Sequence, residues 1–252
     1  TRSCPAWIGR WTSMEAATDV TPEPATTTSP AFAGDKKKGQ SILGPAERRF
    51  IDWAIPKVPS PILSHHLTAL TALWSVATVV FGYLARRDLA WLHGVSVMVF
   101  LQWLTDSLDG SLGKYRKQGL VKWGFFADHI LDLIFAGSIV IAYSFLVDAW
   151  WLEFLFLVLL LVTTATMAVS FLSFAATNQF QIAYYGIGPT EIRIGYIVLD
   201  TFVVFAGTAI FSWGVPAVVA LNLAAFAVLV AQTSRQLWAI DYEANVDNQP
   251  RP

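Results

Sequence analysis

The sequence reads as an all-α integral membrane protein, with six transmembrane helices preceded by a short interfacial amphipathic helix. Three observations point there. Of 252 residues, 55% are hydrophobic and 14% charged, against about 25% charged in a typical soluble domain. Lys, Arg, Asp and Glu crowd the N-terminal arm, the stretch 106–132 and the tail, and each apolar run between them is near the roughly 20 residues that cross a bilayer. Eleven Trp and seven Tyr suit two membrane–water interfaces, where amphipathic rings collect.

Residues 1–43 are rich in Thr, Pro, Ala and Ser and carry Lys36, Lys37 and Lys38. They bury too little apolar surface to fold and are expected to be disordered. Residues 1–13 precede Met14, and whether they are native is left open. No continuous apolar core of a cleavable signal lies in 1–40, so the first span is expected to act as its own insertion signal. In 44–57, Phe50, Ile51, Trp53 and Ile55 alternate with Arg48, Arg49 and Asp52, a pattern suited to a helix lying among lipid headgroups; a solvated linker is the plainer alternative. A catalytic domain of six spans then occupies 58–238: 62–84 after Pro59 and Pro61, 89–112, 121–147, 150–175 opening with Trp150 and Trp151, 193–212, and 215–238 beginning near Trp213 and Pro216. Residues 239–252 form a polar tail.

An even number of spans places both termini on one side. That side collects every Lys and Arg except Arg86 and Arg87. By the positive-inside rule the termini and the loop 113–120 face the cytoplasm, compatible with a bacterial inner membrane. A net charge of -1 argues against a nucleic-acid partner. Cys4, the single cysteine, excludes an intrachain disulfide.

The chemistry concentrates in 106–132, DSLDGSLGKYRKQGLVKWGFFADHILD. Asp106 and Asp109 are three apart, Asp128 and Asp132 four apart, so each pair shares one face of its helix. A hairpin between the second and third spans brings the two faces together. Carboxylates converging at a membrane edge repel one another and resist burial. A divalent cation resolves both problems, and hard oxygen ligands without Cys or suitably spaced His favour Mg2+ or Mn2+ over Zn2+. Gly110, Gly113, Gly119 and Gly124 let a ligand approach the backbone, and Lys114, Arg116, Lys117 and Lys122 add positive charge beside it. Together these point to a phosphate or diphosphate ligand. For the basic residues alone, topology is an equal explanation.

The order Asp106, Asp109, Gly110, Gly113, Lys114, then Gly124, Asp128, Asp132 resembles the D-x-x-D-G motif of the CDP-alcohol phosphotransferase family, also called CDP-alcohol phosphatidyltransferases. Three departures stand out. Gly113 replaces the usual Ala, Lys114 replaces the usual Arg, and the gap before Gly124 is one residue longer. Arg116 is the substitute expected for the missing Arg. The segment PILSHHLTAL (61–70) is similar to the family's first-helix entry, with His65 at its Asn position and Thr68 at its Thr. GIGPTEIR (186–193) and Asp128-His129 resemble the choline/ethanolamine phosphotransferase branch.

The resemblance implies metal-dependent transfer of a phosphoalcohol group from a CDP-alcohol to a hydroxyl acceptor with release of CMP, in phospholipid biosynthesis. It implies that Asp106, Asp109, Asp128 and Asp132 hold one or two ions, Mg2+ or Mn2+, and that Asp132 is the general base. Gly110, Gly113, Gly124, Lys114, Arg116, His65 and Thr68 would contact the nucleotide, and Glu191 and Arg193 the acceptor. Either CDP-ethanolamine or CDP-choline donates to diacylglycerol, or CDP-diacylglycerol donates to a polar alcohol; the GPTE segment favours the first. A cation transporter using the aspartates as its ion site is the competing class. Such sites lie near the bilayer midplane on broken helices, whereas this cluster lies at one edge beside basic residues.

Four more polar residues lie in or just before the later spans. Asp200 either belongs to the function or pairs with Arg193 or a bundle hydroxyl. Glu191 and Arg193 either line the acceptor pocket or pair with each other. Asn222 is placed to bond between helices, with a homodimer contact as one reading.

Overall fold

The computed structural model describes residues 37–38, 42–177, 180–181 and 188–247. Seven α-helices dominate it. They are α1 (Gly44–Ala54), α2 (Ser64–Ala85), α3 (Leu92–Tyr115), α4 (Val121–Ser144), α5 (Trp150–Thr177), α6 (Pro189–Ala206) and α7 (Phe211–Asp247). Two two-residue strands, β1 (Lys37–Lys38) and β2 (Phe180–Gln181), pair in parallel. The expected disorder of the N-terminal arm otherwise falls on residues outside those described. Four helical segments are long and apolar enough to cross a membrane: Ser64–Ala85, Val121–Ser144, Trp150–Thr177 and Thr208–Tyr242. These make the chain an integral membrane protein. The expected second and fifth spans correspond to α3 and α6, which are not among the four. α3 carries Asp106, Asp109 and Lys114, and α6 carries Glu191, Arg193 and Asp200, while Asp128 and Asp132 lie on the more apolar α4.

α2 is the spine on which α3 and α4 both pack, while α3 and α4 touch each other little. Its buried face runs Leu67, Thr68, Thr71, Ser75, Thr78, Gly82, Ala85. Small side chains at spacings of three and four let neighbouring backbones come close. At Gly82 the approach is closest: a Cβ there would collide with the backbone and methyl of Ala142 on α4. α6 packs on the outer side of α3, and α5 joins α4 to α7. The main apolar core fills the end of the bundle where α3 begins and α4 ends, with Leu92, Val95, Val99, Ile139, Phe156, Val203 and Phe211 at its centre. A smaller cluster at the other end seats α1, where Ala54 and Ile55 meet Leu67, Leu108 and Leu112.

Several boundaries differ from the sequence reading. α6 stops at Ala206, because Gly207 takes a left-handed φ of 80°, and α7 starts at Phe211 with Pro216 inside it. The expected break near Trp213 and Pro216 is therefore a break at Gly207, where glycine adopts that conformation without steric cost. α7 also runs on to Asp247, so the expected polar tail is helical through its first nine residues. Between α3 and α4, Lys117 and Gly119 both have positive φ, 53° and 72°, closing a tight reversal.

Candidate active site

The last turns of α3, the first turns of α4 and the first turn of α6 lie at the same end of the bundle. There a carboxylate oxygen from each of Asp106, Asp128 and Asp132 lies within 4.8 Å of the other two. The hairpin expected from the spacing thus assembles three of the four acids. Two like charges about 4 Å apart repel by roughly 4 kcal/mol at an effective dielectric of about 20, so this arrangement demands positive charge. Arg193 supplies some. Its Nη2 donates to Asp106 Oδ2 at 2.7 Å and lies 3.8 Å from Asp132 Oδ1. Arg193 therefore pairs with the cluster, while Asp200 takes the bundle hydroxyls of Tyr143 and Ser96. Asp132 Oδ1 also accepts from Gln102 Nε2 at 2.9 Å.

Asp109 stands slightly apart. It is buried at 6% exposure, and the Thr68 hydroxyl donates to its Oδ2 at 2.6 Å. Thr68 thus ties α2 to the second acid of the motif. A Cβ added at Gly110 or at Gly124 would meet nothing within 4 Å, so both glycines face open space beside the acids. Gly113 is different: a Cβ there would come 3.2 Å from Ser64 Oγ. The serine side chain occupies the room that a methyl at position 113 would need.

The reversal is pinned from outside. The Arg116 guanidinium donates to the carbonyls of Val58, Pro59, Ser60 and Ile62, and Gln118 Oε1 accepts from the Ser64 N–H at 3.1 Å. Arg116 was expected to replace the family's phosphate-facing arginine. In the structure it clamps the segment between α1 and α2, with its two terminal nitrogens engaged by four carbonyls. His66 Nδ1 accepts from the Leu63 N–H at 3.2 Å and caps α2, whereas His65 packs edge-on against His66 and Trp123 with its buried Nδ1 unpartnered. His129, beside Asp128, points Nδ1 at the Phe125 carbonyl at 2.7 Å and packs against the rings of Phe125 and Phe171.

Glu191, expected at the acceptor, works on backbone. Its Oε2 accepts from the Gly188 N–H and its Oε1 from the Leu43 N–H, both at 2.9 Å. This is the reach-back of a third-position glutamate that caps a helix start, with Pro189 opening the helix. Glu47 on α1 fastens the same corner. It accepts from Thr190 Oγ1 at 2.7 Å and from Ser107 Oγ at 3.1 Å, bridging the residue after Asp106 to the start of α6. Phe50 stacks on Trp103 alongside. No local pattern in the sequence marks Glu47, Gln102 or Ser64, since each acts on a residue far along the chain.

An all-aspartate set of hard oxygen donors fits a divalent cation of the Mg2+ or Mn2+ kind. Asp106, Asp128 and Asp132 are the residues that would hold it. The motif order, the convergence of its acids and the open glycines beside them agree with a comparison against protein families, in which residues 62–238 match the model of the CDP-alcohol phosphatidyltransferases. No curated protein matches the chain. With most of its length covered by that match, the chain belongs to the CDP-alcohol phosphatidyltransferase family, whose chemistry is the transfer of phosphate-containing groups in phospholipid synthesis.

Proposed function

We propose that the protein transfers a phosphoalcohol group from a CDP-alcohol to a hydroxyl acceptor and releases CMP, with a divalent cation held by Asp106, Asp109, Asp128 and Asp132. The observation that carries this reading is the meeting of three acids from two helices at one end of the bundle, beside two open glycines. A bound cation supplies positive charge against the donor's diphosphate and lowers the cost of the charge that develops on leaving CMP. The acceptor oxygen forms a bond to the distal phosphorus as the phosphorus–oxygen bond to CMP breaks. Asp132 takes the acceptor proton as general base. Gly110 and Gly124 leave room for the nucleotide against the backbone. Lys114 is the phosphate contact, Arg116 being engaged by carbonyls. His65 and Thr68 border the nucleotide side, and Arg193 is the acceptor-side contact.

The full bundle has six spans in this reading. α3 and α6 cross the membrane with their polar faces turned inward, and α1 lies at the interface. Both termini and the acid cluster face the cytoplasm, following the Lys and Arg distribution. The donor is a soluble CDP-alcohol such as CDP-ethanolamine or CDP-choline, and the acceptor is diacylglycerol. The segment Gly188-Pro189-Thr190-Glu191 supports that choice by its likeness to the choline/ethanolamine branch.

The test is CMP release by purified protein in mixed micelles with Mg2+. CDP-ethanolamine, CDP-choline and CDP-diacylglycerol are each paired with lipid and polar acceptors. Release with a soluble donor and diacylglycerol, lost with chelator, is expected. Release only from CDP-diacylglycerol would reverse which substrate is the lipid, and no release from any pair would overturn the reading.

A further inference from the structure

Gln102 sits on α3 one turn before Asp106, on the same helix face. It is fully buried, among apolar neighbours along the helix such as Val95, Met98, Val99 and Leu108. A primary amide is an expensive choice there, because its donors and acceptor lose water on burial and need replacements. One replacement is in place: Nε2 donates to Asp132 Oδ1 at 2.9 Å across the gap between α3 and α4. The other is not, since Oε1 is buried without a hydrogen-bond partner. Among the described residues, the contact with Asp132 is the one hydrogen bond that rewards an amide at this position.

We infer that Gln102 is a positioning residue that holds the Asp132 carboxylate in register with the rest of the acid cluster. The inference rests on the proposed function, in which Asp132 both binds metal and receives a proton. The last torsion of an aspartate is broad and two-fold rather than locked in one staggered well. An aspartate with two tasks therefore needs an outside contact to choose which oxygen faces where. Gln102 and the more distant Arg193 both address Oδ1, which leaves Oδ2 for the chemistry. The two holders differ in kind. Arg193 is shared with Asp106 and is drawn to whichever acid carries charge, whereas the Gln102 amide makes one directed bond from a rigid helix. Partners of this kind behind metal-ligating carboxylates are worth about 10- to 100-fold in affinity or activity.

The test uses the full chain in micelles and the variant Gln102→Met, which keeps the side-chain length and removes the donor. Expected is a fall in kcat of about 10- to 100-fold with donor KM held within about threefold. Expected too is an approximately tenfold weaker Mn2+ affinity, read from the free-ion electron paramagnetic resonance signal. The melting temperature should hold or rise, because an unpartnered carbonyl has been removed. In an Asp132→Asn background the same Gln102→Met change should cost under twofold in Mn2+ affinity, since the bond it removes has lost its charged acceptor. Unchanged kcat and Mn2+ affinity would overturn the inference. So would an equal loss of Mn2+ affinity in both backgrounds, or a loss of donor binding and folding together with kcat. Should wild type release no CMP from any donor, the proposed function fails, and the Mn2+ cycle alone decides the role of Gln102.

Discussion

Two places in the bundle bury carboxylates, and they are built in opposite ways. Asp200 on α6 is wholly buried, and the protein meets both its oxygens with hydroxyls: Tyr143 donates to Oδ1 at 2.8 Å and Ser96 to Oδ2 at 2.7 Å. Three helices are joined by one acid, and its needs are met from within the chain. At the other end of α3, three acids share one small volume, answered by the Arg193 guanidinium and the Gln102 amide. A carboxylate satisfied by its own fold is a tie between helices. A group of carboxylates with more charge than the fold answers awaits something from outside. The supply of donors separates the two cases.

The largest expected effect tests that division directly. Replacing Asp132 with Asn should lower CMP release by about 10²- to 10⁴-fold, the usual worth of a positioned general base, with the melting temperature little changed. Replacing Asp200 with Asn should leave kcat within about threefold, because an amide still accepts from one hydroxyl and lies far from the reacting atoms. If Asp200→Asn abolished turnover in a protein of normal stability, the distinction between the two places would collapse.

Metal removal comes next. A ligand that binds only the folded state at a hundred times its dissociation constant stabilises it by about 2.7 kcal/mol. Saturating Mg2+ is expected to raise the unfolding midpoint in micelles, and chelator to reverse the shift and stop CMP release. The rise should vanish in Asp106→Asn and survive in Asp200→Asn. A Mg2+ shift that persists without Asp106 would place the cation elsewhere.

Stability effects should run the other way. Asp200→Leu leaves the buried Tyr143 hydroxyl and the half-buried Ser96 hydroxyl without their acceptor, the first worth about 1–3 kcal/mol when orphaned and the second less, and should lower unfolding stability by a few kcal/mol. Adding Tyr143→Phe and Ser96→Ala should restore much of that loss, since an unmade hydrogen bond costs more than an absent one. Chemical unfolding of the single and triple variants decides the point.

How much of this was legible beforehand follows the same physics. Periodicity and spacing exposed Asp106, Asp109, Asp128 and Asp132, because i,i+3 and i,i+4 pairs are local facts about one helix. Hydropathy marked α2, α4, α5 and α7, which bury or present mostly apolar atoms. α3 and α6 were harder, since the polar side chains that make the site lower the hydropathy of the helices carrying them. Arg116 reads in the sequence as a loop arginine near phosphate-binding residues, and the carbonyls it donates to lie more than fifty positions earlier in the chain, beyond any local pattern. Glu47 and Ser107 meet across 60 positions and Leu43 and Glu191 across 148. No pattern in a window of a dozen residues contains either pair.

Asp109 is the boundary case, and it carries the smallest expected effect. Like Asp200 it is buried and takes a hydroxyl from a neighbouring helix, Thr68 at 2.6 Å. Like Asp132 it belongs to the motif that the family match covers. Thr68→Val keeps the shape of the side chain and removes the donor. The loss of one such bond at a charged acceptor is worth about 1.5–3 kcal/mol. Were Asp109 only a tie between α2 and α3, that cost would appear as lower stability with kcat intact. Were it a metal ligand held in place by Thr68, most of it would appear as weaker Mg2+ activation and about tenfold slower CMP release, with Thr68→Ser close to wild type. The second outcome is expected, because Asp109 belongs to the motif that the family match covers and Gly110 beside it faces open space.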